Sequence, residues 1–158
     1  MEINIAASID SQQFCGVWSA APTPFDDEME IDSSAIQRLA EHHLRMGVKG
    51  LFIAGSCGEG PWISRRQLRQ LVQETAGTVA GRIPIAVQVT DNSAVRILEN
   101  IQMAQEDGAD QVVLATPYIL RNATPTTLLN LSLEAITRST LPVIIYDLGK
   151  HTDRKSVL

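Results

Sequence analysis

Short apolar runs alternate with amphipathic stretches of helical period along the whole chain, and this alternation limits what it can fold into. The runs are Cys15–Ala20, Gly50–Ala54, Ile83–Val89, Gln111–Ala115 and Leu141–Tyr146. Between the first two, Ile36, Leu39, Ala40, His43 and Leu44 recur at helical spacing. Leu68, Leu71, Val72, Ala76 and Val79 form the second such stripe, and Ala94, Ile97, Leu98 and Ile101 the third. The fourth holds Leu128, Leu129, Leu133 and Ile136. Start signals precede each stripe: Asp32 or Ser33, Ser64 with Gln67 in a capping box, Asn92 or Ser93, and Thr124 ahead of Pro125. Gly47, Gly81 with Pro84, Gly108 and Pro142 close them.

The order is therefore β-α-β-α-β-α-β-α-β. Strands joined by helical crossovers run parallel. Runs this uniformly apolar fit strands that helices cover on both faces. Two architectures accommodate the pattern: a doubly wound open sheet, and the first part of a (β/α)8 barrel. Asp153 reads as another helix cap, and the chain ends at Leu158 within the turn that follows. The expectation is a truncated product or a fragment, with residues 1–13 as a tail and 14–158 as one incomplete domain.

A chain of 158 residues suffices for one domain with a core, which is aliphatic because aromatics make up only 4%. The formal charge of −5 and the lack of a basic run argue against a nucleic-acid partner. Arg65, Arg66 and Arg69 read as an exposed helix face. Cys15 and Cys57 have no metal-type spacing and make no disulfide framework, which points to a reducing, cytoplasmic setting. Residues 1–13 lack a signal-peptide pattern. No apolar stretch reaches the roughly 18 residues of a spanning helix, so no membrane partner is expected.

In parallel α/β proteins, sites form at the carboxyl ends of strands. The polar residues there are Thr23, Ser56, Cys57, Thr90, Asp91, Thr116, Tyr118 and Tyr146. Gly55-Ser56-Cys57-Gly58-Glu59 is the most informative segment, a glycine-flanked turn suited to presenting N–H groups and a hydroxyl to a small carboxylate or phosphate. Ser56 and Tyr146 together offer a hydroxyl-to-phenol route for a proton. Other candidates have structural roles: His42 and His43 as mid-helix packing, Trp18 as core or barrel-interior packing and Trp62 as a packing anchor for the loop. Glu59 reads as a structural carboxylate, and Asp26-Asp27-Glu28 as a solvated loop.

Several ordered pieces resemble the dihydrodipicolinate synthase/N-acetylneuraminate lyase family. They are Pro22-Thr23-Pro24-Phe25, residues 32–39, residues 46–59, Gly108-Ala109-Asp110 with Thr116-Pro117-Tyr118, and Pro142-Val143-Ile144-Ile145-Tyr146. The resemblance runs from about Gly16 onward. It implies a (β/α)8 barrel, truncated here to about five strands and four helices. It also implies a lyase that joins a lysine to pyruvate or a related 2-oxo acid as a Schiff base, without metal or cofactor. The full-length protein is then expected to be a homo-oligomer. By this resemblance Gly55, Ser56 and Cys57 bind the substrate carboxylate, and Ser56 and Tyr146 are catalytic, moving protons. Four positions depart from the family pattern: Cys57 stands for threonine, Ile119 for a second tyrosine, Asp147 for asparagine, and His151 lies where an arginine is usual. The family's lysine belongs to a sixth strand, past Leu158, whereas this chain holds Lys49, Lys150 and Lys155. The alternative is a catalytically dead homologue that binds a small carboxylate or associates with a partner.

Overall fold

The computed structural model describes residues 14–117 and 124–147. The expected cap at Asp153 and the proposed tail at residues 1–13 lie outside them. The described elements are β1 (Trp18–Ala20), α1 (Ser33–Met46), β2 (Gly50–Ile53), α2 (Arg65–Val79), β3 (Ile85–Gln88), α3 (Ala94–Glu106), β4 (Gln111–Ala115), α4 (Pro125–Arg138) and β5 (Val143–Tyr146).

Each helix starts where its cap chemistry directs. Asp32 accepts from the Ala35 N–H at 2.9 Å. That bond, the Ser34 hydroxyl and the nearby Arg38 charge hold the Asp32 carboxyl below its ordinary pKa. Ser64 and Gln67 form the full capping box. Ser93 and Thr124 cap α3 and α4 through the Arg96 and Thr127 N–H groups. Gly47 ends α1 in the left-handed region at φ 73°, where glycine meets no steric penalty.

Four strands are shorter than the apolar runs that announced them, and only β4 matches its run. Gly16 at φ 122° breaks the extended backbone ahead of β1. Pro84 and Pro142 lack the N–H that a ladder needs and serve instead as acceptors, for Leu51 and Val112.

All four pairings are parallel and the spatial order is β1-β2-β3-β4-β5. Consecutive helices pack on one another, α1 on α2, α2 on α3 and α3 on α4. Right-handed crossovers in an unbroken strand order put every helix on the same side. A doubly wound sheet would instead reverse its order at a switch point and place helices on both faces. The architecture is thus that of a partial (β/α)8 barrel with an outer helical layer and an inner face.

The two faces differ. Leu51, Ile53, Ile85, Val87, Val89, Val112 and Leu114 point outward and build the core with Ile36, Ala40, Leu71, Val72, Ile97 and Ile101. The alternate positions line the inner face: Gly50, Phe52, Ala86, Gln88, Gln111, Val113, Ile144 and Tyr146. The strands are therefore not apolar on both faces, because helices cover only one of them.

Ion pairs stitch the outer layer. Arg65 pairs with Glu99 and Arg66 with Glu30. Arg69 donates to both oxygens of Asp107 at 2.9 and 2.7 Å, and Gln73 adds a third bond at 2.7 Å. The exposed arginine face is thus a set of links between neighbouring elements.

Candidate active site

The carboxyl end of β2 runs into a tight loop. Ala54 adopts φ 55° and is 1% exposed, so the chain turns abruptly in a buried position. The Gly55 carbonyl accepts from the Gly58 and Gly60 N–H groups, both at 3.1 Å. Glu59, also at φ 55°, returns the chain toward α2, and its carbonyl accepts from Trp62 and Ile63. A Cβ on Gly60 would lie 1.7 Å from the Ala54 carbonyl oxygen, and one on Gly58 would lie 2.9 Å from that of Ala21. These glycines serve close backbone approach. The turn holds Ser56 and Cys57 at the exposed tip.

Phe52 was missed as a site residue in the sequence. Its ring edge lies 2.9 Å from where a Gly55 Cβ would be. The same ring meets Tyr146 at a centroid distance of 5.8 Å, tilted by 55°. Laid flat, β2 and β5 would be three strand spacings apart, about 14 Å. The rings meet because the sheet curls, and together they bridge the inner face of β3 and β4. Phe52 thus links the loop that carries Ser56 to the phenol of Tyr146. An aromatic residue at the inward register of an otherwise aliphatic strand was the available signal.

The other strand-end residues divide. Thr23 is buried, and its hydroxyl donates to the Gly58 carbonyl at 2.5 Å, tying β1 to the loop. Thr90 accepts from the Ala115 N–H at 2.8 Å, joining the ends of β3 and β4. Asp91 pairs with Arg96 at 2.9 Å and braces the start of α3. These three are structural. Thr116 lies at the carboxyl end of β4, half-buried. Tyr118, Ile119, Lys150, His151 and Lys155 lie outside the described residues.

Lys49 precedes β2, at the opposite end of the sheet, with its stem against Gly16. His43 is buried, and its Nδ1 donates to the Leu39 carbonyl at 2.8 Å, a packing role. Trp18 lies across Gly50 on the inner side. Trp62 is 69% exposed, which corrects the expectation of a packing anchor. The loop needs no such anchor, because its backbone bonds, its close glycine contacts and Thr23 already hold it. The Glu59 side chain is exposed, and this residue shapes the turn through its backbone. Asp26 accepts from the Glu28 and Glu30 N–H groups at 3.0 and 2.8 Å, ordering the exposed acidic loop.

Among the described residues, no three His, Cys, Asp or Glu side chains gather as a metal site, and no helix is long and apolar enough to cross a membrane. What the sheet end can offer is a glycine-tightened loop for a small anion and a phenol on the same face. The family model described as "Dihydrodipicolinate synthetase family" matches residues 13–155. The chain belongs to that family.

Similar members include the 4-hydroxy-tetrahydrodipicolinate synthase of Thermotoga neapolitana. It is 37% identical over 105 residues, which are 66% of this chain and 35% of that one. The synthase of Coxiella burnetii is likewise 37% identical over 105 residues, covering 36% of its length. Among solved structures, a monomeric dihydrodipicolinate synthase variant aligns with a TM-score of 0.82 and 30% identity, over 89% of this chain and 46% of that chain. A prophage protein of the family from E. coli K12, solved in complex with pyruvate, aligns with a TM-score of 0.81 and 26% identity, covering 88% and 46%. The chain therefore spans about a third of the length of the curated relatives it matches, and just under half of these solved chains.

Proposed function

We propose that this chain supplies the substrate-binding half of a lyase site acting on pyruvate or a related 2-oxo acid. Gly55, Ser56 and Cys57 hold the substrate carboxylate, the loop contributing N–H groups and Ser56 its hydroxyl. Ser56 and Tyr146 carry protons to and from the reacting carbon. Cys57 brings a thiol, a weaker and longer donor than the threonine hydroxyl it replaces, so carboxylate binding is looser than threonine would allow. The carbon chemistry is that of a Schiff base on a lysine, which activates the 2-oxo carbon for bond making or breaking and needs no metal or cofactor. One observation carries the reading: the Ser56 loop and Tyr146 share one end of the sheet and are joined through Phe52. Residues 14–158 form part of one incomplete barrel domain, which acts in the cytoplasm and belongs to a homo-oligomer at full length.

A second reading, a carboxylate binder without catalysis, is favoured by the position of Lys49. It is the one lysine among the described residues, and it lies at the wrong end of the sheet. Borohydride reduction in the presence of pyruvate separates the two, with the mass of the chain as readout. The 158-residue chain is expected to trap no pyruvyl adduct while still binding pyruvate, with Ser56→Ala weakening that binding about tenfold. An adduct on any of its lysines would make this chain a Schiff-base enzyme in its own right. Unchanged binding in Ser56→Ala would remove the loop from the site.

A further inference from the structure

Gln88 is the last residue of β3, at the carboxyl end of the sheet. It pairs in register with Val113, placing it on the inner face with Phe52 and Tyr146. Its residue is 9% exposed, and its Oε1 is buried with no hydrogen-bond partner among the described residues. A buried amide carbonyl without a donor is costly, so such an orphan asks for a partner that arrives from elsewhere. No described residue at this end donates to it; Thr23 donates instead to Gly58, and Asp91 is paired with Arg96. Extending the register by one step puts Gln88 level with Ala54, where the Ser56 loop begins, and one inward step below Tyr146.

We infer that Gln88 is a specificity-determining residue that accepts a hydrogen bond from a hydroxyl on the substrate beyond its 2-oxo-acid head. This rests on the proposed carboxylate site and extends it to a substrate class, hydroxylated 2-oxo acids. A site with a buried acceptor rejects the analogue that lacks the hydroxyl, because the acceptor is then left unpaired. Gln111 is an internal control. It too is buried with an orphan Oε1, but it opens β4 at the amino end of the sheet, away from the loop.

The test is calorimetric titration of the 158-residue chain with 2-oxobutyrate and with 4-hydroxy-2-oxobutyrate, which differ by one hydroxyl. The unaltered chain should prefer the hydroxylated acid about tenfold. Gln88→Leu, and Gln88→Met as a closer match in shape, should bring the ratio of affinities to about one. Gln111→Leu should keep the preference. Equal affinities in the unaltered chain, or a preference that survives in both Gln88 variants, would overturn the inference while leaving the carboxylate site standing. Failure to bind either acid would overturn the carboxylate site, and this inference with it.

Discussion

The outer and inner faces of the sheet are made from the same five strands, yet they answer to different demands. Outward residues meet helices of the same chain. They are aliphatic and closely packed, and Val87 and Val112 have no exposed surface. Inward residues are mixed. Phe52 and Tyr146 meet above small and apolar neighbours, and Gln88 and Gln111 keep buried oxygens without donors among the described residues. Burial alone does not distinguish the two faces, since Ala86 and Val113 are as hidden as the core. Completed chemistry does. The outward strand residues are apolar and ask for no polar partner, whereas the inward glutamines keep unpaired oxygens; in the helical layer Glu74 Oε2 is likewise buried without a donor among the described residues.

Substitutions sharpen this contrast. Leu51→Ala removes a 2% exposed side chain between sheet and helices. It should cost about 3 kcal/mol in urea unfolding, because the helical layer cannot close the cavity. A loss below about 1 kcal/mol would show that the outer face is as adaptable as the inner one. Asp107→Ala removes the acceptor of three bonds linking α2 to the end of α3. A loss of about 2 kcal/mol is expected, limited because Arg69 keeps access to water. Gln111→Leu should act in the opposite direction, stabilising by about 1 kcal/mol, since an apolar side chain leaves no acceptor unpaired. Destabilisation there would mean that the inner face already satisfies its amides.

The smallest effect concerns acid. The Asp32 carboxyl is depressed below its ordinary value of 3.8. Its stabilising contribution is therefore complete above the unfolded value and disappears as pH falls through the folded one. Melting followed from pH 5 downward should show a shallower acid loss in Asp32→Asn than in the unaltered chain. Parallel curves would assign the acid loss to other carboxylates.

Local chemistry made much of this legible in the sequence. Ser64 with Gln67 and Thr124 with Pro125 announce their helices because capping depends on neighbours a few residues away. The outer stripes are legible for the same reason. Single-chain periodicity could not show which face of a strand meets helices, so Gln88 and Gln111 sat unremarked inside apolar runs. Thr23 and Thr90 resembled site residues because each closes a bond to a residue 35 or 25 positions away. Trp62 looked like an anchor from its place just after the glycine turn, when the turn's own backbone already held the loop. Ser56, Cys57 and Tyr146 stand out in the sequence as candidates from their strand-end positions, whereas Phe52 emerges only once the sheet curls.

The exposure of Trp62 gives the molecule a built-in optical probe. The chain has two tryptophans. Trp18 lies half-buried across Gly50, with its indole nitrogen donating to the Phe14 carbonyl. Trp62 is 69% exposed, two residues past the glycine-tightened loop. Its emission should be red-shifted and easily quenched by iodide, unlike that of Trp18. An anion settling at Ser56 and Cys57 would alter the quenching of one indole and leave the other alone, so occupancy of the loop is readable from unlabelled protein.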